Sequence, residues 1–177
     1  MNVDWRDGEI LITRNADQFI TLNEIDKQAR RDSRHPFILN SIKKYKLGQD
    51  PASIRKVAKA AFNIAKFQPD PQDNQYIRTT TRLLKDRRAN CVDYTMFISA
   101  FLRALKVPHI IRMASFDPNN PRAFSHIYPL TQNGLILDVV PGQDQNGLEF
   151  KKKPSERTFI FNKEVPFVSK FDKKIRS

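Results

Sequence analysis

The run from Asn90 to Pro108 leaves the chain least choice about its fold. Asn90 is a strong helix N-cap, and Asp93 follows three residues later, as in a capping box with Asp in place of Glu or Gln. Behind them Tyr94, Phe97, Ile98, Phe101 and Leu105 recur at helical spacing, with Ala100 and Ala104 beside them. A helix that is apolar over so much of its circumference must be covered on several sides, so this spacing predicts a central, buried helix. Lys106-Val107-Pro108 closes it, and everything else in the chain has to supply the cover.

Two kinds of cover are legible. Upstream, Asp50-Pro51 reads as an N-cap followed by proline at the first helical position. Ile54, Val57, Ala58, Ala61, Phe62 and Ala65 then form one apolar stripe on a helix of about four turns. Thr80 to Lys85 predicts a further short helix. Downstream the period changes from helical to two: Ile110–Met113, Phe124–Leu130 and Leu135–Val140 read as strands, and Thr158–Phe161 as an edge strand. Helices first and an antiparallel sheet after them make an α+β domain. Residues 1–50 are less legible: Glu9–Thr13 reads as a short strand, Ile20–Arg31 as a polar helix, and Pro36 as a break before Phe37-Ile38-Leu39.

The chain has 177 residues, which suits one domain with a real core, and 13 Phe help to fill that core without metals or disulfides. Its single cysteine excludes an internal disulfide and any paired-cysteine metal motif, and fits a reducing compartment. The N-terminus lacks a basic stretch followed by an apolar one, and no apolar run approaches the roughly 18–20 residues that span a bilayer. A cytoplasmic protein without a membrane span is the expectation, with a virion-associated one as the alternative. The formal net charge is +12. Between Arg30 and Arg88, 15 Lys and Arg face five acids, which reads first as a solvated basic face on amphipathic helices and second as a surface for an anionic partner. No zinc-finger spacing, RNP-type aromatic motif or GxxG loop supports sequence-specific nucleic-acid recognition.

Cys91 is the first residue of the buried helix. A thiol there meets the positive end of the helix dipole and backbone N–H groups without intrahelical partners, which favour thiolate and can hold a developing oxyanion. Arg87 and Arg88 just upstream act in the same direction. His126 lies on the following strand, where alternation puts Phe124, His126 and Tyr128 on one face. Asp138 interrupts the apolar run Leu135-Ile136-Leu137-Asp138-Val139-Val140, where an acid needs a partner. Whether His126 and Asp138 share a face depends on the turn between their strands. A two-residue Asn133-Gly134 loop puts them on opposite faces. A three-residue Gln132-Asn133-Gly134 loop with glycine in the left-handed position pairs Thr131 with Leu135, and Asp138 becomes the diagonal neighbour of His126. The triad Cys91, His126 and Asp138 therefore predicts the bulged turn. Cys91 would attack an acyl carbon, His126 would take and return the proton, and Asp138 would orient the imidazole.

The stretch Thr80-Thr81-Arg82-Leu83-Leu84-Lys85-Asp86-Arg87-Arg88-Ala89-Asn90-Cys91-Val92-Asp93-Tyr94, continued through Phe101 to Pro108, resembles the core of the transglutaminase-like superfamily. That family runs a Gly-x-Cys-x-Asp helix start into an apolar helix ending near Gly-Ile-Pro, followed by a histidine strand and an aspartate strand. Ser125-His126-Ile127-Tyr128 and Leu137-Asp138 match the two later blocks. The resemblance covers about residues 50–142 and implies a papain-like fold with acyl chemistry on peptide or protein amides, by hydrolysis or by transfer to an amine. It implies three segments: an N-terminal extension over 1–49, the core over 50–142 and a basic C-terminal extension over 143–177. Three positions depart from the pattern. Ala89 and Lys106 stand where the family has glycine, and Tyr128 where it often has tryptophan; the loss of glycine at 89 would narrow the approach of a substrate backbone. Small domains of this family also occur in bacterial and phage proteins. The alternative to an enzyme is thus a catalytically weak or inactive structural protein of a phage or prophage particle, meeting an assembly partner through its basic extensions.

The remaining candidates have plainer expectations. Asp93 reads as a helix-capping group, and His35 and His109, each beside a proline, as surface or loop residues. Gln75 could donate to an oxyanion, though its spacing does not single it out. No cofactor is expected, and a metal on Cys91, His126 and Asp138 would lack a fourth ligand.

Overall fold

The computed structural model describes residues 3–6, 8–13, 18–71, 74–114, 126–140 and 164–166. In chain order the elements are β1 (Val3–Arg6), β2 (Glu9–Thr13), α1 (Gln18–Asp32), α2 (Pro36–Lys44), α3 (Pro51–Ile64), β3 (Lys66–Phe67) and β4 (Asn74–Arg78). There follow α4 (Thr80–Asp86), β5 (Arg88–Ala89), α5 (Cys91–Ala104), β6 (His109–Ala114), β7 (His126–Thr131) and β8 (Glu164–Pro166). The fold is α+β. Its organising feature is α5, a helix with cysteine at its start packed on the antiparallel sheet that carries histidine.

Helix α5 is the central one. Every residue from Val92 to Leu102 is buried. Helices α1, α2 and α3 lie against it, and Leu22, Ile25, Ile38, Ile54 and Val57 belong to the same core as Phe97, Ile98 and Leu102. On its other side α5 meets β7. The sheet order is β7-β6-β8, all antiparallel, so β6 is its middle strand. A second sheet joins β1, β2 and β4 in that order, and the two-residue strands β3 and β5 pair in parallel.

Local chemistry accounts for the helix boundaries. Asp50 caps α3 by accepting from the Ser53 N–H at 2.9 Å, with Pro51 at the first helical position. Thr79 caps α4 in the same way through the Arg82 N–H. Helix α5 ends in a Schellman motif: the Lys106 N–H donates to Arg103 O at 3.0 Å and the Val107 N–H to Leu102 O at 2.8 Å. Lys106 sits there at φ 58°, the left-handed conformation that glycine adopts most cheaply. Lys106 therefore closes the helix at a cost in backbone strain.

Several expectations need correcting. Pro36 does not break the chain: it opens α2, because His35 acts as an N-cap, its Nδ1 accepting from the Phe37 N–H at 3.1 Å. His109 is not a surface residue. It is 3% exposed at the start of β6, its Nδ1 is 2.9 Å from Val107 O, and burial drives its pKa down to about 4, the bond to Val107 opposing only in part. The span Leu135–Val140 is not a regular strand. It meets β7 through a single bridge, Leu130 with Ile136. The reason is Pro129: the Leu137 N–H donates to Pro129 O at 3.0 Å, but proline has no N–H to return. The expected strand at Thr158–Phe161 and residues Phe124 and Ser125 lie outside the described residues.

Candidate functional site

The site is assembled around the first turn of α5. The Asn90 side chain accepts from the Asp93 N–H at 2.8 Å, and the Asp93 carboxylate accepts from the Asn90 N–H at 3.0 Å, completing the expected capping box. Cys91 thus occupies the first helical position, partly buried, where the N–H groups of the opening turn have no intrahelical acceptor. Thr95, one turn on, donates its hydroxyl to Cys91 O at 2.7 Å and also lies 3.2 Å from Ile127 O. That hydroxyl ties the opening turn of α5 to β7 one residue beyond His126.

A buried polar network supports this turn from below. Asp93, wholly buried, also accepts from the Arg78 N–H at 2.7 Å and from Arg78 Nη1 at 2.6 Å. Asp70 accepts from the Tyr76 N–H at 2.7 Å and from the Asn90 amide, and lies 3.6 Å from Arg78 Nη2. Burial lifts the Asp93 carboxyl to about 6, and the Arg78 charge and the N–H groups of Asn90 and Arg78 offset this only in part. Burial raises Asp70 as well. Sequence reasoning found Asp93 as a cap but missed Arg78 and Asp70, which reach the helix start from β4 and from the segment before it. An arginine ending a strand beside Ile77 was the available signal.

On the sheet side, His126 begins β7 and is 6% exposed, and Asp138 is wholly buried. The turn between them is the bulged form. The Thr131 N–H donates to Leu135 O at 3.0 Å, the Gly134 N–H to Thr131 O at 3.0 Å, and Gly134 has φ 86°. With Thr131 O engaged by Gly134, the Leu135 N–H turns to Thr131 Oγ1 at 2.9 Å. The bridge of Leu130 to Ile136 keeps this register, which sets Asp138 diagonally across from His126. His126 Nε2 lies 2.7 Å from Asp138 Oδ2, and the other carboxylate oxygen accepts from the Val140 N–H at 3.2 Å.

The electrostatics of His126 join the two sides. Burial alone would push its pKa down. The hydrogen bonds to Asp138 and to Cys91, with the charges of both partners, outweigh that and raise it to about 9. Since Nε2 faces Asp138, Nδ1 is the ring nitrogen left to exchange a proton with the thiol. The Tyr128 ring lies 5.6 Å from the His126 ring, tilted by 39°. Ala89 is wholly buried and its carbonyl accepts from the Gln68 N–H at 2.8 Å, so its methyl group points into the core. The described residues contain no cluster of His, Cys, Asp and Glu able to hold a metal ion, and no described helix is long and apolar enough to cross a membrane.

No protein-family model matches the sequence, and no curated protein matches it. Among solved structures, one described as "a Putative Cysteine Protease from Cytophaga hutchinsonii" is similar at 13% identity and a TM-score of 0.42, over 92% of this chain. The chain spans 64% of the length of that structure. The site itself comprises a thiol at a helix start and a buried imidazole whose Nε2 lies 2.7 Å from a buried carboxylate.

Proposed function

We propose that this chain is a cysteine-dependent acyl-transfer enzyme of the transglutaminase-like kind, acting on peptide or protein amides. The observation that carries the reading is the buried His126–Asp138 bond at 2.7 Å, which leaves Nδ1 of the same ring for Cys91. The Cys91 sulfur attacks the amide carbon, a C–S bond forms, and the C–N bond breaks as His126 gives its proton to the departing amine. The N–H groups of the first turn of α5 stabilise the oxyanion between these events. Water or a second amine then attacks the thioester, His126 takes the incoming proton, and sulfur leaves as the thiolate. Asp138 keeps Nε2 protonated and the ring in plane throughout. All three groups come from the proposed core over 50–142.

The test is the rate of Cys91 alkylation by iodoacetamide between about pH 4 and 10, in the wild type, His126→Ala and Asp138→Asn. At about pH 6 the wild type should react at least roughly tenfold faster than His126→Ala, with Asp138→Asn in between and its circular dichroism unchanged. A rate indifferent to both substitutions would sink the enzyme reading and leave a structural, non-catalytic relative of the fold.

A further inference from the structure

A second concave feature is built from three helices, and neither Cys91, His126 nor Asp138 lines it. Its floor is Val57 of α3 with Phe97 and Phe101 of α5, whose rings meet edge to face at 5.2 Å. Phe37 of α2 forms one wall, its ring 6.3 Å from that of Phe97. The slot between them holds about 370 Å³, room for one or two large apolar side chains. Phe37, Ser41 and Tyr45 follow one another at i, i+4 and i+8, so α2 and its C-cap turn one continuous edge toward the slot. Lys56 and Ala60, one turn apart on α3, form the opposite rim, and both are exposed.

The rim is cationic. Lys56 lines the slot, and Lys44 stands 5.2 Å over the ring of Tyr45, itself 58% exposed. No acidic side chain lines the slot among the described residues. Between Pro36 and Lys66 the sequence has seven Lys and Arg against one acid, Asp50, which is committed to capping α3. An apolar hole edged by lysines and lined by no described acid selects an apolar anchor flanked by negative charge. The spread of lysines over both helices suits a segment with several carboxylates better than a ligand with a single anionic head.

We propose that this slot is a docking site for an acidic peptide segment of a partner protein, with one large apolar side chain seated between Phe37, Val57, Phe97 and Phe101 and flanking Asp or Glu side chains meeting Lys44 and Lys56. The anchor supplies most of the affinity because it leaves water completely, whereas the rim pairs set the association rate and its salt dependence.

The probe is a fluorescein-labelled peptide, Glu-Asp-Phe-Leu-Asp-Glu, titrated with the full chain and followed by anisotropy at about 50 mM salt. Saturable binding is expected, weakened about tenfold or more by Ala60→Phe, which plugs the slot, and by Lys56→Glu, which reverses the rim. Replacing Phe-Leu in the peptide by Ser-Ser should cost as much, so the result does not hang on Ala60→Phe folding normally. Equal binding of a Lys-Lys-Phe-Leu-Lys-Lys peptide would overturn the charge argument, and equal binding of the serine peptide would overturn the anchor. Tighter binding of an oligothymidylate that Ala60→Phe and Lys56→Glu abolish would assign the surface to nucleic acid instead. Absence of any saturable signal overturns the site.

Discussion

Two buried carboxylates flank Cys91, and each is answered by one cation. Asp93, beneath the helix start, faces Arg78 at 2.6 Å; Asp138, across the sheet, faces His126 at 2.7 Å. The geometry is nearly the same and the chemistry is not. A guanidinium keeps its charge at every pH the protein meets, so Arg78 has no proton to exchange and its bond to Asp93 serves to hold the helix start in place. An imidazole gains and loses a proton in the working range, so the Asp138 pair can change state while the chain around it stays still. The permanent cation fixes the helix start on which the thiol stands, and in the proposed mechanism the exchangeable one moves the thiol's proton.

The hardest blow to this contrast is Arg78→Met, which leaves the Asp93 carboxylate buried without its cation. A loss of about 3–5 kcal/mol is expected in urea denaturation at neutral pH. Without Arg78 the buried Asp93 carboxyl should take up its proton at a higher pH than the about 6 of the wild type, so the deficit should be larger at neutral pH than at about pH 5. A loss under about 1 kcal/mol would show that the capping box holds the turn without Arg78.

The exchangeable pair has the opposite signature. His126 titrates near 9 in the folded chain against about 6.5 when unfolded. Its stabilising contribution is therefore complete below about pH 6.5 and disappears as the pH rises through 9, by up to about 3 kcal/mol. The wild type should lose stability across that window and His126→Gln should not, whereas Arg78→Met should keep the slope. Identical slopes in the wild type and His126→Gln would break the comparison.

A smaller change calibrates both. Lys106→Gly relieves the left-handed residue at the other end of α5 and should raise stability by about 1 kcal/mol. It touches neither carboxylate, so the alkylation rate of Cys91 should not move; a changed rate would mean that the two ends of the helix are coupled.

Features written in short-range chemistry were readable from the sequence. The Asn90–Asp93 capping box, the proline-headed α3, the glycine of the bulged turn and an aspartate stranded in an apolar run each announce themselves within a few residues. Together they gave the α+β layout and the register that sets Asp138 beside His126. What escaped depends on distant partners. Helix α2 was hidden because histidine is a rare N-cap. Arg78 looked like one more basic residue until β4 laid it beside Asp93. His109 looked exposed because its neighbour is proline, although the strand it opens runs through the middle of a sheet. Residues 18–44 looked peripheral for want of strong periodicity, yet Leu22, Ile25 and Ile38 enter the same core as α5.

The strand β8, pairing Val165 with Ile111, has a consequence for the order in which the chain is made. On a ribosome, α5, β6 and β7 emerge long before residue 164, so for that interval β6 is an edge strand with one row of amide and carbonyl groups unmet. A two-stranded ribbon is marginal alone, and here it must lean on α5 for support. The histidine-bearing strand thus has only β6 and α5 to lean on until β8 is made and encloses the middle strand of that sheet on both sides.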